Sequence, residues 1–246
     1  MEPSILITGA SSGIGKALAL EMAKRGYSLA LTARRLDTLE KIKEEALQVN
    51  PSIQVEVRFL DVTDYNSVYA IFNDIAEKLK GIDIVFANAG IALGEKIGRN
   101  QFDKTRKTIE VNVLGAMATV DAAVSYFLKR GSGHIVGTSS VAAFRGFPRG
   151  ASYSASKAAI STYMEALRAE VYGKNIDITI LYPGYIDTPL NDMLPNRPFV
   201  INTEKGAAIM ADLIEKRVKS STVPAYPWAI LGQLLKILPT RIIAKF

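Results

Sequence analysis

Tyr153 and Lys157 stand four residues apart in Ser152-Tyr153-Ser154-Ala155-Ser156-Lys157-Ala158, at the start of a stretch with helical patterning. On a helix that spacing puts both side chains on one face, so an ammonium lies beside a phenol. A free tyrosine titrates near about 10 and exchanges protons poorly at neutrality, and a neighbouring cation is expected to favour the phenolate and lower that value. Surface helices also carry Tyr-x-x-x-Lys for packing alone, so the pair needs company. Ser140, thirteen residues upstream, follows the apolar run His134 to Thr138. Its hydroxyl is expected at the carboxyl edge of a sheet, where open α/β folds bind ligands. Asn112, in Val111-Asn112-Val113, is an amide among apolar neighbours within a long helical stretch, either a satisfied buried group or part of a site.

A second kind of chemistry is written in Thr8-Gly9-Ala10-Ser11-Ser12-Gly13-Ile14-Gly15, which closes the first apolar run and opens a helical pattern. Glycine allows a tight turn and close backbone approach, and the helix N-terminus beyond offers unpaired N–H groups and a positive dipole end. That is an anion site, although its spacing differs from G-x-G-x-x-G. Roughly 20 residues on, an NAD site would place Asp or Glu to bind the ribose hydroxyls. Here stand Ala33, Arg34 and Arg35. A guanidinium fork suits a 2′-phosphate, so NADP(H) is expected over NAD(H), with Arg34 the main contact and Arg35 or Ser11 secondary. Asp37 keeps NAD as the weaker option.

The elements that must position these groups alternate. Ile5 to Thr8, Ser28 to Ala33, Gln54 to Phe59, Ile82 to Ala87, His134 to Thr138 and Ile176 to Tyr182 are apolar runs bounded by Gly, Pro, Asp or Asn. Amphipathic helical stretches separate them, as in residues 14 to 25, where Ile14, Ala17, Leu18 and Met22 share a face and Gly26 supplies a stop. Strand–helix alternation implies a parallel sheet covered by helices on both faces, a doubly wound α/β architecture. No Ser/Gly tract or short repeat divides the chain, so one domain is expected over residues 1–246. It carries a Pro-rich loop at 184–202, with Pro189, Pro195 and Pro198, and an apolar, basic tail at 228–246.

Composition narrows the chemistry. The 246 residues include no cysteine and a single histidine, His134. Thiolate catalysis, Fe–S clusters and His-based metal cages are thereby removed, no metal is expected, and acid–base work falls to Tyr, Lys, Asp or Glu. The formal charge of +6 is concentrated C-terminally, with seven basic against two acidic side chains in 205–246. No aromatic residues interleave with a basic run, which argues against nucleic acid and leaves anionic lipid, a partner or plain solvation. Without a charged n-region or an apolar run of about 20 residues, a cytoplasmic location is expected, with possible peripheral contact at a membrane surface.

Taken together, Thr8 to Gly15, Asp61, Asn88-Ala89-Gly90, Asn112, Ser140, Tyr153, Lys157 and Pro183-Gly184 resemble, in order and spacing, the short-chain dehydrogenase/reductase family over residues 1 to about 220. The resemblance implies a Rossmann-type sheet of about seven strands and hydride transfer between nicotinamide and a carbonyl/alcohol pair. It also implies a homodimer or homotetramer, and a catalytic tetrad of Asn112, Ser140, Tyr153 and Lys157. Ser140 is preferred to Ser139 because successive strand-end side chains point oppositely and the thirteen-residue spacing matches the family. By the same resemblance Gly9, Ser11, Ser12, Gly13, Ile14 and Gly15 would cradle the pyrophosphate. Asp61 with Val62 would flank adenine, and Asn88, Ala89 and Gly90 would border the ribose. Pro183, Gly184, Ile186 and Thr188 would follow, with Thr188 holding the nicotinamide carboxamide. Lys157 would bond the nicotinamide ribose and depress the tyrosine pKa, and Asn112 would support a water-linked proton path.

Substrate selection is expected in residues 141–150 and 184–200, with Phe144, Phe147, Tyr185, Met193 and Leu194 giving an apolar pocket or packing the core. A small apolar carbonyl or alcohol substrate follows. The tail is similar to that of a membrane-associated, hydroxysteroid-dehydrogenase-like branch and reads as an interfacial helix pair, a flap over the pocket or a subunit contact. It runs from Trp228 through Ile237, Pro239 and Ile243 to Phe246. The rival reading is an NADPH-binding sensor or scaffold without turnover, which has no need of the tetrad.

Overall fold

The computed structural model describes residues 2–192, 194 and 196–245; Met193, Pro195 and Phe246, expected in the pocket, the Pro-rich loop and the tail, lie outside the described residues. Seven strands form one parallel sheet: β1 (Ser4–Thr8), β2 (Ser28–Ala33), β3 (Val55–Phe59), β4 (Ile84–Ala87), β5 (Gly133–Thr138), β6 (Ile176–Pro183) and β7 (Ser220–Val223). Their order is β3-β2-β1-β4-β5-β6-β7, the doubly wound arrangement, with the reversal between β1 and β4. Parallel strands need crossovers, and helices supply them: α1 (Gly13–Lys24), α2 (Leu36–Val49), α3 (Tyr65–Lys78), α4 (Phe102–Ile109), α5 (Ala116–Arg130), α6 (Ala151–Glu170) and α7 (Thr203–Glu215).

Strand alternation divides the core in two. Ile5, Ile7, Leu29, Leu31 and Phe86 point to a layer built with Leu18 and Met22 of α1, Leu39 and Ile42 of α2, and Met210 and Ile214 of α7. Leu6, Ala30, Val85 and Ile135 point the other way, onto Phe72 and Ile75 of α3, Val120 and Phe127 of α5, and Ile160 and Met164 of α6. Burial on both faces explains why these strands are apolar without alternation in sequence. The edge strand β7 was missed among the apolar runs because Ser220-Ser221-Thr222-Val223 is short and hydroxyl-rich, with only its last two residues buried.

Between α4 and α5 the chain makes a π-helical turn over Glu110–Gly115, so residues 102–130 run as one long helix. An 18-residue window of that helix is apolar enough to cross a membrane, but half of it is buried within the fold. The tail forms α8 (Trp228–Ile237) and α9 (Thr240–Ile243), separated at Pro239 where the chain turns extended.

Candidate active site

The turns after β1 and β4 meet at the sheet reversal. Thr8 Oγ1 accepts from the N–H groups of Asn88 (3.0 Å) and Ala89 (3.2 Å), and Asn88 Nδ2 donates back to the Thr8 carbonyl (3.0 Å). Gly9, at φ +68°, presses so closely on this second turn that a Cβ would lie 2.8 Å from Ala89 Cα. Gly13 (φ +54°) faces Thr188, whose side chain would be 3.3 Å from a Cβ there. Gly9 excludes a side chain for a steric reason and Gly13 disfavours one by its positive φ, which leaves main chain lining the approach to the N-terminus of α1. Ser12 begins α1 in extended backbone, with no side-chain bond to the helix.

Arg35 reaches into this turn, donating from Nη2 to Ser11 Oγ at 3.0 Å and from Nε at 3.3 Å. Arg34 instead leans to Asp61 across the β2 and β3 tips, Nη1 to Oδ2 3.8 Å, and stays exposed. Arg35 thus stands on the glycine turn, and Arg34 at the strand tips. Burial pushes the Asp61 carboxyl up, but two hydrogen bonds from Thr63 and the Arg34 charge outweigh it and hold the group below its ordinary value. Val62 is buried against Gly115, where a Cβ would come within 2.6 Å of it.

Helix α6 delivers Tyr153 and Lys157 to the carboxyl end of β5. Lys157 is only 5% exposed, and its Nζ donates to the Thr138 carbonyl at 2.9 Å. Burial lowers its pKa to about 8. The same nitrogen lies 5.7 Å from the Tyr153 ring centroid. For the Tyr153 phenol the expected depression is reversed: burial raises its pKa, a hydrogen bond with Ser140 opposes the rise, and Tyr185 adds to it. The reason is geometric, since the ammonium is committed to Thr138 and lies toward the ring, while the phenol oxygen meets Ser140.

Ser139 and Ser140 diverge as strand-end neighbours must. Ser139 Oγ turns into α6, donating to the Lys157 carbonyl (2.9 Å) and sharing a hydrogen bond with Ser161 (2.8 Å). Ser140 Oγ faces the crevice, accepting from Ala142 N (3.1 Å) and touching the Pro183 carbonyl (3.4 Å). Asn112 sits in the π turn, with Oδ1 accepting from Ile91 N (2.8 Å) and Nδ2 donating to Ile91 O (2.8 Å) and Ser156 Oγ (3.1 Å). Both ends of the amide are thus spent on fastening the chain after β4 to α6. Gly90 passes between, and a Cβ on it would be 3.4 Å from Asn112 Oδ1 and 3.5 Å from Lys157 Nζ.

The Ile186 side chain is turned into the core beside Ala207 and Met210 and packs against Gly206, and its carbonyl accepts from Asn191 Nδ2 at 2.8 Å. Ile14 likewise packs against that core. Glu95 was not anticipated: 5% exposed, its carboxylate accepts from Ser152 N (2.6 Å) and Ser152 Oγ (2.8 Å) and so caps the start of α6 next to Tyr153. No local pattern announces it, because the partner lies 57 residues away.

The pocket residues are distributed around this edge. Phe144 stacks on Tyr182 (4.9 Å), Tyr185 meets Trp228 edge-on (5.8 Å), Phe147 is half-buried and Leu194 is exposed. The tail packs on its own chain: Gly232 lies against Phe144, and Arg145 Nη2 donates to the Leu238 carbonyl (3.2 Å).

A doubly wound sheet with a glycine turn at its reversal, and a Ser–Tyr–Lys cluster one strand away, defines an oxidoreductase of the dinucleotide-binding type. The chain belongs to the short-chain dehydrogenase family, which it matches over residues 3–197. An uncharacterized oxidoreductase of Mycobacterium tuberculosis is 38% identical over 243 residues, 98% of this chain and 96% of that protein. Among solved structures, an alcohol dehydrogenase of the archaeon Thermococcus sibiricus, complexed with 5-hydroxy-NADP, superposes with TM-score 0.80 at 30% identity, over 89% of this chain and 95% of its own. Levodione reductase superposes with TM-score 0.84 at 25% identity, over 92% and 98%.

Proposed function

We propose that the protein is an NADP(H)-dependent carbonyl reductase or alcohol dehydrogenase acting on a small apolar substrate, with Tyr153 as the proton donor. The observation that carries this reading is the gathering of Tyr153, Ser140 and a buried Lys157 at the carboxyl end of β5, with the lysine Nζ 5.7 Å from the Tyr153 ring centre and bonded to the Thr138 carbonyl, next to the glycine turn. The residues of that groove fit a dinucleotide: Gly9 and Gly15 have no room for a Cβ, Gly13 is held at positive φ, Ser12 opens α1, and Arg35 on Ser11 offers a guanidinium where a 2′-phosphate would need one. When bound, the dinucleotide supplies the hydride.

This chain's own residues supply the rest. Ser140 donates to the substrate oxygen and orients it toward Tyr153. The raised pKa of the phenol keeps its proton in place at neutrality, as a general acid requires. Once the proton has left, the Lys157 ammonium, 5.7 Å from the ring centre, is the positive charge that favours the phenolate. Asn112 and Glu95 hold the flanking segments in register rather than touching the reacting atoms. The test is NADPH oxidation by the purified protein with aldehydes, diketones, steroids and long-chain acyl ketones, with Tyr153→Phe as control. Turnover with at least one class, lost in the variant, is expected; near-wild-type turnover in Tyr153→Phe overturns the mechanism.

The outer face of α8 supports a second property. Ile230, Leu234 and Ile237 are exposed beside Lys236, with Arg241 in the following turn, a pairing of apolar and cationic groups that suits an anionic lipid surface. Sedimentation with anionic vesicles, lost on changing the three apolar residues to serine, is the expected result. A dimer in ultracentrifugation without vesicle binding would assign the face to a second copy instead.

A further inference from the structure

Trp228 is 5% exposed, and its indole N–H has no hydrogen-bond partner among the described residues. An indole nitrogen can only donate, and buried tryptophans ordinarily find an acceptor, so this one calls for an explanation. Its position supplies one. The nitrogen edge of the ring lies on Gly184, where a Cβ would collide with Nε1. Gly184 follows Pro183, whose carbonyl touches Ser140 Oγ at 3.4 Å. The same ring meets Tyr185 edge-on at 5.8 Å and Phe199 at 6.1 Å, and Tyr185 lies near enough to Tyr153 to raise its pKa. One aromatic ring therefore separates the indole from the proton donor.

The helix that carries Trp228 is fastened to both segments beside the site. Gly232 packs on Phe144, Lys236 Nζ lies 5.2 Å from the centre of the Phe144 ring, and Arg145 holds the Leu238 carbonyl. Helix α8 thus spans from the segment after Ser140 to the segment after Pro183, its buried face made of Trp228, Gly232 and Leu235, with the indole N–H as the one side-chain donor on that face.

We propose that Trp228 is a specificity-determining residue whose N–H donates to a second oxygen of the substrate, set apart from the carbonyl that reacts. The substrate class is then an apolar molecule with two oxygens, such as a diketone, hydroxyketone or keto ester, its carbon frame lying against Tyr185, Phe199 and Phe144. Entry of that oxygen displaces the first turn of α8 from Gly184. A site built to hydrogen-bond one group discriminates against analogues that lack it, because the donor is otherwise left buried and unpaired. The inference rests on the carbonyl-reductase reading for its substrate chemistry but has its own readout.

Trp228 is the single tryptophan in the chain, so emission excited at wavelengths too long for the tyrosines to absorb reports on it alone. The holoenzyme with NADP+ is titrated with hexane-2,3-dione, hexane-2,4-dione and hexane-2,5-dione, and with hexan-2-one as the matched one-oxygen probe. At least one dione is expected to shift the emission maximum while hexan-2-one does not. In NADPH-driven kinetics Trp228→Phe, which keeps a ring and removes the donor, raises KM for that dione about tenfold, the size of one hydrogen bond. Its kcat, and the KM for hexan-2-one, stay within about twofold. No emission change with any dione, or equal changes in both KM values, overturns the proposal. An emission shift without turnover of any ketone would retain the recognition role and remove the catalytic reading; turnover indifferent to Trp228→Phe would do the reverse.

Discussion

Lys157 Nζ and the Thr138 carbonyl are joined at 2.9 Å, which latches the helix carrying Tyr153 to the carboxyl end of β5. The latch is made by a cation that burial penalises, and this has a consequence for stability. The lysine titrates near 8 in the folded protein against 10.5 ordinarily. Between those values the unfolded chain holds a proton that the folded chain has released, so stability rises with pH across that window. Urea unfolding of wild type and Lys157→Met from pH 7 to 10.5 should show a difference that is flat below about 8 and moves in favour of wild type above it. A difference that stays flat throughout would mean the ammonium is not desolvated.

Adjacent serines should separate structure from turnover. Ser139→Ala removes the hydrogen bonds to the Lys157 carbonyl and Ser161 and should cost about 1 kcal/mol of stability with kcat nearly unchanged. Ser140→Ala removes the bonds to Ala142 N and the Pro183 carbonyl and should cost a comparable amount of stability, but it should also lower kcat about a hundredfold, as loss of an oxyanion donor does. Thermal melts and steady-state kinetics on both variants make the comparison.

Cofactor choice should follow the arginine that stands on the glycine turn. Arg35→Ala should weaken NADPH binding about tenfold to a hundredfold, the worth of a charge-assisted hydrogen bond, while NADH binding barely changes. Arg34→Ala, whose side chain is exposed and leans to Asp61, should have the smaller effect. Calorimetric titration of both cofactors into each variant measures it; a larger loss in Arg34→Ala would restore the order expected from sequence.

His134 gives an acid-side prediction. It is buried, its Nε2 bonds Thr179 Oγ1 at 2.9 Å, and burial lowers its pKa to about 4. The unfolded chain takes up a proton near 6.5 that the folded chain refuses until about 4, so stability falls as pH drops through that interval, by about 3 kcal/mol in all. With one histidine in the chain, a single imidazole resonance should titrate near 4. The acid-side loss should shrink in His134→Gln.

Much of this molecule was readable before any coordinates. Six of the seven strands stand in the sequence because both faces of a parallel sheet are buried, which makes each strand an apolar run; β7 was invisible because its hydroxyl-rich edge buries only Thr222 and Val223. Gly9 and Gly13 could be picked out because positive φ and close backbone approach leave few alternatives to glycine. Glu95 and Trp228 could not, since each acts through partners far away in sequence, Ser152 for one and Gly184 for the other.

The sequence by itself therefore determined the alternation of strand and helix, the glycine turn after the first strand, and the four-residue step that sets Tyr153 and Lys157 on one helix face. These are short-range consequences of backbone geometry and side-chain period. Tertiary structure alone decided that Arg35 rather than Arg34 stands on Ser11, that burial raises the Tyr153 phenol instead of the lysine lowering it, and that α8 packs on Phe144 and Gly184. Those outcomes depend on desolvation and on contacts between segments 24 to 93 residues apart, quantities that exist only once the chain is packed.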